Sequence, residues 1–248
     1  MLVYISDTET KKEALKILFG KDKVTTKKED IQEADILYLG PTGEEYKKIA
    51  FKPESHIYTL LCNPALARNA QKCHALYSVL YDDPKFVNAN THITTEGLIG
   101  YIITNTNTSI YHSRILVIGY GRCGQDIVRV MQCFKPSIDV ANRQSHHIKE
   151  VEQQGCLYIP LESLLSLQEY DYIINTVAFP VLTKALLQTR KKTANIFDIA
   201  SYPYGVLRED RVDEYHVLPA LPTRYAIQTA AELLYQAIIE KEDEYARR

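Results

Sequence analysis

The sequence predicts an α/β protein built from two parallel-sheet domains joined by a crossing helix. Two observations carry that prediction. Short apolar β-like runs alternate with helical stretches along the whole chain, the pattern of parallel β-α-β units. In the second half, a run such as Arg114–Ile118 holds four consecutive apolar residues, as a strand covered on both faces requires.

In chain order, Leu2–Ser6 reads as a strand, followed by an amphipathic helix over Glu9–Phe19 with Ala14, Leu15, Leu18 and Phe19 on one side. Ile36–Leu39 and Ile57–Leu61 are the next strands. Asn63-Pro64 reads as an N-cap with proline at the first helical position. Phe86–Ala89 is expected to be a fourth strand. Thr94–Asn107 reads as the crossing helix, capped by Thr94-Thr95-Glu96-Gly97. Arg114–Ile118 is then a strand, Gly119–Gly124 a turn and Gln125–Phe134 a helix. Ile138–Ala141 is a strand, and a helix over Ser145–Gln154 stops at Gly155. Leu157–Ile159, Tyr172–Asn175, Asn195–Asp198 and a short Val217-Leu218 complete the strands. A last helix is expected over Arg224–Lys241. These elements group into an N-terminal α/β domain over residues 1–95, a second domain over 96–222, and a C-terminal helix over 223–248 that returns to the first domain.

Composition narrows the function class. Lys plus Arg number 29 against 31 for Asp plus Glu, which leaves no broad basic footprint for nucleic acid. No apolar run approaches the roughly 20 residues of a membrane span. Leu2–Ile5 ends at Ser6-Asp7, shorter than a secretory core, so the expected location is cytoplasmic. The five cysteines are odd in number and form no C-x-x-C pair, so they read as free thiols. His146-His147 has no third ligand at metal spacing, so no metal is expected.

The chemistry lies in Gly119-Tyr120-Gly121-Arg122-Cys123-Gly124. It matches G-x-G-x-x-G, follows a strand and opens a helix, the context that gives this pattern its meaning. Gly119 permits a tight turn, Gly121 lets backbone approach a pyrophosphate, and Gly124 lets helix and strand pack closely. Free N–H groups of the helix start, at Arg122 and Cys123, point at the anion. The second domain is therefore expected to be a Rossmann-like dinucleotide-binding domain. Cofactor choice is set at the end of the next strand, 21 residues after Gly121, where NAD sites carry Asp or Glu. This chain has Asn142 there, followed by Arg143 and Ser145. Arg143 offers a planar fork suited to a 2′-phosphate and Ser145 a hydroxyl donor, so NADP (NADPH) is expected over NAD. An ordinary surface arginine at a strand end is the other reading. Thr176-Val177, after one strand, and Ala200-Ser201, after another, are expected along the same crevice. Asp198 reads equally as a site residue or a turn cap.

The stretch from Phe86 to Ile239 resembles the dipicolinate synthase A-subunit family, a relative of the D-2-hydroxyacid dehydrogenase architecture. The matching segments are Thr95-Glu96-Gly97, Ile115–Gly124, Val140–Arg143, Ile174-Asn175-Thr176, Phe197–Ser201 with Pro203 and Gly205, and Leu218-Pro219-Ala220-Leu221-Pro222 followed by Thr229-Ala230. The resemblance implies an NADP-linked oxidoreductase of small carboxylated, lysine-pathway-type molecules that works with a flavoprotein second subunit. Fold analogy adds a homodimer. The sequence departs from the family at Gln228, where the family has lysine, and at Ala220 and Thr223, where it has glycines. A non-catalytic dinucleotide-binding sensor or partner subunit therefore stands as a second function class. A divergent 2-hydroxyacid dehydrogenase-like enzyme is a third, although no Arg lies near Ala200-Ser201 and no His between Leu218 and the last helix.

The residues also point to an acid or base. Glu96, with Thr95 beside it, is expected at a helix start facing the interdomain cleft, where a carboxylate can shuttle a proton. A first-turn Glu complementing the helix dipole is the alternative. Arg224 and Tyr225 read either as substrate-carboxylate ligands or as ordinary surface residues.

Overall fold

β1 (Val3–Ile5), α1 (Glu9–Phe19), β2 (Val24–Thr25), β3 (Ile36–Tyr38), β4 (His56–Thr59), α2 (Pro64–Lys72) and β5 (Leu76–Val79) open the chain in a computed structural model that describes residues 1–247. Their strands form one all-parallel sheet in the order β2-β1-β3-β4-β5. The local chemistry is visible in each element. α1 buries Ala14, Leu15 and Phe19 and stops at Gly20, whose φ is +94°. α2 starts at Pro64 with Asn63 as N-cap: its Oδ1 accepts from the amides of Ala65 (3.1 Å) and Leu66 (3.2 Å).

α3 (Pro84–Asn105) begins in this first unit and ends in the second. Then come β6 (Arg114–Ile118), α4 (Arg122–Met131), β7 (Ser137–Asn142), α5 (Ile148–Gln153), β8 (Leu157–Pro160), β9 (Tyr172–Asn175), α6 (Lys184–Gln188), β10 (Asn195–Asp198), β11 (Tyr215–Val217), α7 (Leu221–Tyr225) and α8 (Ile227–Ala246). The six strands form a second all-parallel sheet, β11-β10-β9-β6-β7-β8, the strand order of a Rossmann domain. The chain thus folds as two compact α/β units: Met1–Asn90 with the chain from Ala226 on, and Thr91–Tyr225. In the first, Ala231, Leu234, Ala237 and Ile238 of α8 share a core with Val3, Ile5, Leu15 and Tyr38. In the second, Ile115, Val117 and Ile174 meet α3 and α4 on one face of the sheet, while Leu116, Ile118 and Ile173 pack on the other.

Several expectations need correction. Phe86–Ala89 is helix, not strand, because α3 starts ten residues earlier than its expected cap at Thr94. Its true start is Pro84, where Asp83 Oδ1 accepts from the Lys85 amide at 2.9 Å. Buried Val87, Thr91, Thr95, Leu98 and Ile102 continue one helical face through the segment. α4 starts at Arg122, inside the expected turn, and the expected 145–154 helix is a 3-10 turn at Ser145–His147 followed by α5. The last helix is two, broken at Ala226 (φ −141°, ψ 53°). β2 and β5 were not expected: one has two residues, and the other is partly exposed at the sheet edge.

Candidate functional site

The crevice forms where the strand order of the second sheet reverses, between β6 and β9, the place where parallel α/β sheets bind ligands. β6 ends at Ile118, and Gly119 turns the chain with φ +92°. A Cβ on Gly119 would lie 2.4 Å from Thr176 Oγ1 and 2.8 Å from Val177 Cγ2. Thr176 is fixed there by Ile118, whose carbonyl accepts from its amide (2.9 Å) and from its hydroxyl (3.0 Å). A Cβ on Gly124 would lie 2.2 Å from the Gly119 carbonyl oxygen, so the helix start packs directly on the turn. Gly121, the N-cap of α4, differs from both: a Cβ there meets nothing within 4 Å. Two of the three glycines serve the protein's own packing, and the third leaves space open beside free helix N–H groups. That cradle fits a pyrophosphate.

Gly119, Ala141, Asn142, Arg143, Gln144, Leu161, Val177 and Phe179 line one cavity of about 430 Å³. β7 delivers Asn142, whose side chain is buried and donates to the Gln144 carbonyl at 3.3 Å. Tyr158 caps the Asn142 carbonyl at 2.9 Å. Arg143 is exposed and has no carboxylate partner among the described residues, which leaves its guanidinium available to an anion. The acidic residue nearest in sequence on this strand, Asp139, is buried within β7, where it accepts from Tyr170 (2.9 Å) and Arg114 (3.2 Å). Among the described residues, no carboxylate lines the cavity.

The remaining expected residues fall elsewhere. Ser145 is exposed at the 3-10 turn after Arg143, outside the cavity lining, as is Arg122 at the first position of α4. The Cys123 thiol hydrogen-bonds Thr91 on α3, and burial pushes it above its ordinary range. Ala200 and Ser201 follow β10, one strand further along, and do not line the cavity. The Ala200 amide is taken by Asp198 Oδ1 at 3.0 Å. Asp198 resolves to its structural reading: Oδ2 accepts from the Gly205 amide (2.6 Å) and from the Tyr215 hydroxyl.

Glu96 is not at a helix start. It lies in the middle of α3, is exposed, and pairs with His92 at 3.6 Å. Thr95 is buried, and its hydroxyl has two acceptors in reach, the Thr91 carbonyl at 3.3 Å and the Asp126 carboxylate. Asp126 on α4 also takes His92 Nδ1 (3.2 Å) and Arg129. Burial pushes its carboxyl up, but the bonds from Thr95, Arg129 and His92 together outweigh that and hold it below the ordinary range. These residues clasp α3 to α4. Tyr225 packs beside Gly97, with Arg224 over its ring at 6.0 Å. Leu161 was absent from the expected set, while Phe179 lies in the strand-end segment Asn175–Pro180 expected along the crevice. Leu161 follows the end of β8 on the crevice side, and the strand-end rule that found Asn142 extends to it.

Comparisons with known proteins agree with this geometry. Residues 95–194 match the D-isomer specific 2-hydroxyacid dehydrogenase NAD-binding domain. The dipicolinate synthase A-subunit of Bacillus subtilis (strain 168) is 26% identical over 182 residues, 72% of this chain and 61% of that protein. The chain therefore matches less than two thirds of that relative's length. Among solved structures, the dipicolinate synthase A-subunit from Bacillus halodurans has a TM-score of 0.79 at 20% identity over 96% of each chain. Its counterpart from Bacillus subtilis gives 0.81 at 20% identity, over 100% of this chain and 97% of that one. No helix among the described residues is long and apolar enough to cross a membrane. This chain therefore resembles the dipicolinate synthase A-subunit in sequence and fold, and its residues 95–194 resemble the NAD-binding domain of the D-isomer specific 2-hydroxyacid dehydrogenases.

Proposed function

We propose that this protein is an NADP-dependent oxidoreductase acting on a small carboxylated, lysine-pathway-type substrate, in the cytoplasm, as a homodimer and with a flavoprotein second subunit. The observation that carries the reading is the cavity at the end of β7, where, among the described residues, Arg143 stands without a carboxylate partner and no carboxylate joins the lining. A nicotinamide dinucleotide, when bound, supplies or takes a hydride. The chain's own part is to hold it. Gly121 and the opening amides of α4 receive the pyrophosphate, Asn142 the ribose, and Arg143 with Ser145 the 2′-phosphate. Val177 and Phe179 cover the apolar side. Ala200 and Ser201 remain proposed neighbours of the nicotinamide end.

The test is calorimetric titration with NADPH and NADH, wild type beside Arg143→Ala. Losing a hydrogen bond to a charged group costs about 1.5–3 kcal/mol, so NADPH affinity should fall by about tenfold or more while NADH binding stays weak and unchanged. Binding of neither nucleotide by the wild type would remove the oxidoreductase reading.

A second reading, a dinucleotide-binding sensor or partner subunit without turnover, draws support from Thr95 and Glu96. The proposed acid-base pair is engaged within α3 and with α4, through Thr91, Asp126 and His92. Retained NADPH binding without turnover of any offered substrate would favour it.

A further inference from the structure

The first sheet has its own reversal of strand order, between β1 and β3. The rule that placed the dinucleotide crevice places a ligand outside the carboxyl ends of these strands too. Ile5 and Tyr38, their last residues, are register partners. Asp7 follows β1, and Lys11 lies in the opening turns of α1, only 7% exposed. Lys11 Nζ is 3.1 Å from Asp7 Oδ2 and 5.6 Å from the centre of the Tyr38 ring. The Tyr38 hydroxyl is fully buried and lies against Asp7 without a well-aligned hydrogen bond. Gly40 (φ +69°) keeps the following turn close, since a Cβ there would lie 3.2 Å from the Ser6 carbonyl oxygen.

A buried lysine–aspartate pair contributes little to stability by itself. Desolvation offsets the attraction unless the remaining donors find partners, and an apolar pair of similar volume serves a core as well. Lys11 has three N–H donors and, among the described residues, one ionic partner. Tyr38 adds an O–H donor beside it. Thr8, the N-cap of α1, gives no side-chain cap to the amides that open the helix. Lys11 and the Tyr38 hydroxyl therefore cluster on Asp7 at the carboxyl ends of β1 and β3, beside a helix start that lacks a side-chain cap, and Asp7 balances the Lys11 charge. A singly charged carboxylate suits that balance better than a dianionic phosphate.

We propose that Lys11 and Tyr38 hold a carboxylate of the substrate, each donating a hydrogen bond to it, with Asp7 holding Lys11 in place. The identification of that ligand as substrate rests on the oxidoreductase reading above; the site itself does not. The probe is dipicolinate, the dicarboxylate for which the similar synthases are named. It is titrated calorimetrically into the full chain, wild type beside Lys11→Met, Lys11→Arg and Tyr38→Phe, with NADPH titrated in parallel. Wild type should bind the probe, Lys11→Met should weaken it by about tenfold or more, and Lys11→Arg should recover part of the loss. NADPH affinity should change less than about twofold in all three, since none touches the second unit's crevice. Tyr38→Phe removes one oxygen from an intact core, so it carries the test if Lys11→Met does not fold; its expected loss is about threefold or more. Equal probe binding by the wild type and the folded variants overturns the site, as does absence of probe binding by wild type. Probe binding that depends on Lys11 in a protein that binds no NADPH upholds the site and removes the oxidoreductase reading instead.

Discussion

Gly119, Gly121 and Gly124 share a motif but not a reason. Gly119 needs its positive φ and has Thr176 and Val177 where a side chain would go. Gly124 has the Gly119 carbonyl there, and Gly121 has open space. The consequences separate on substitution. Gly124→Ala should destabilise the second unit by about 1–3 kcal/mol or more, because backbone must shift to admit the methyl. Gly121→Ala should melt within about 2 °C of wild type, yet lose NADPH affinity by about tenfold or more, since the methyl occupies ligand space. Paired melting curves and NADPH titrations check this. Equal melting temperatures for the two variants would contradict it. The motif was legible in the sequence, but its division into packing and ligand roles was not, because that depends on what stands opposite each glycine.

At the scale of elements, the clasp between α3 and α4 is the feature the sequence concealed. Glu96 reads as a helix-start residue only if α3 begins at Thr94. Once Pro84 opens the helix, Thr95 and Glu96 fall three turns in, on neighbouring but different faces. Thr95 turns inward to Asp126 and Glu96 pairs with His92 at the surface. Asp126 titrates below its unfolded value near 3.9. Its contribution is therefore complete above about pH 5 and is lost as pH falls through the unfolded value towards the lower folded one. Asp126→Asn should cost about 1–3 kcal/mol at neutral pH, a few degrees in Tm, and that difference should shrink below about pH 4. A pH series of melting temperatures decides it; a constant difference between the two proteins down to pH 3 would show that the charge is not what holds the helices.

For the whole molecule, the order of the chain and the order of the fold differ. Residues after Ala226 belong with residues 1–90, and α8 completes the core against α1. Burying Leu234 and Ile238 contributes about 1.5–3 kcal/mol each, against a typical net stability of about 5–15 kcal/mol. A chain ending at Tyr225 should therefore lose the first unit while the second keeps its fold. Limited proteolysis should cut the truncated chain within residues 1–90 and spare 91–225. Equal protection of residues 1–90 with and without α8 would refute the dependence.

The sequence alone determined the parallel α/β class, most strands of the second sheet, and the glycine crevice with Arg143 at its rim. These are local properties: continuous apolar runs mark strands buried on both faces, and a glycine turn between strand and helix has one geometry. Asn195–Asp198 and Tyr172–Asn175 form strands over the very residues the pattern marks. Only the tertiary structure decided what depends on residues distant in sequence. It paired the short edge strands β2 and β5 with their neighbours, committed Asp198 to Gly205 and Tyr215, and tied Thr95 to Asp126. It also brought Asp7, Lys11 and Tyr38 together at the carboxyl ends of β1 and β3. A buried ion pair has no signature in a linear pattern, because Lys11 reads as one more charged residue of an amphipathic helix until the sheet behind it is in place.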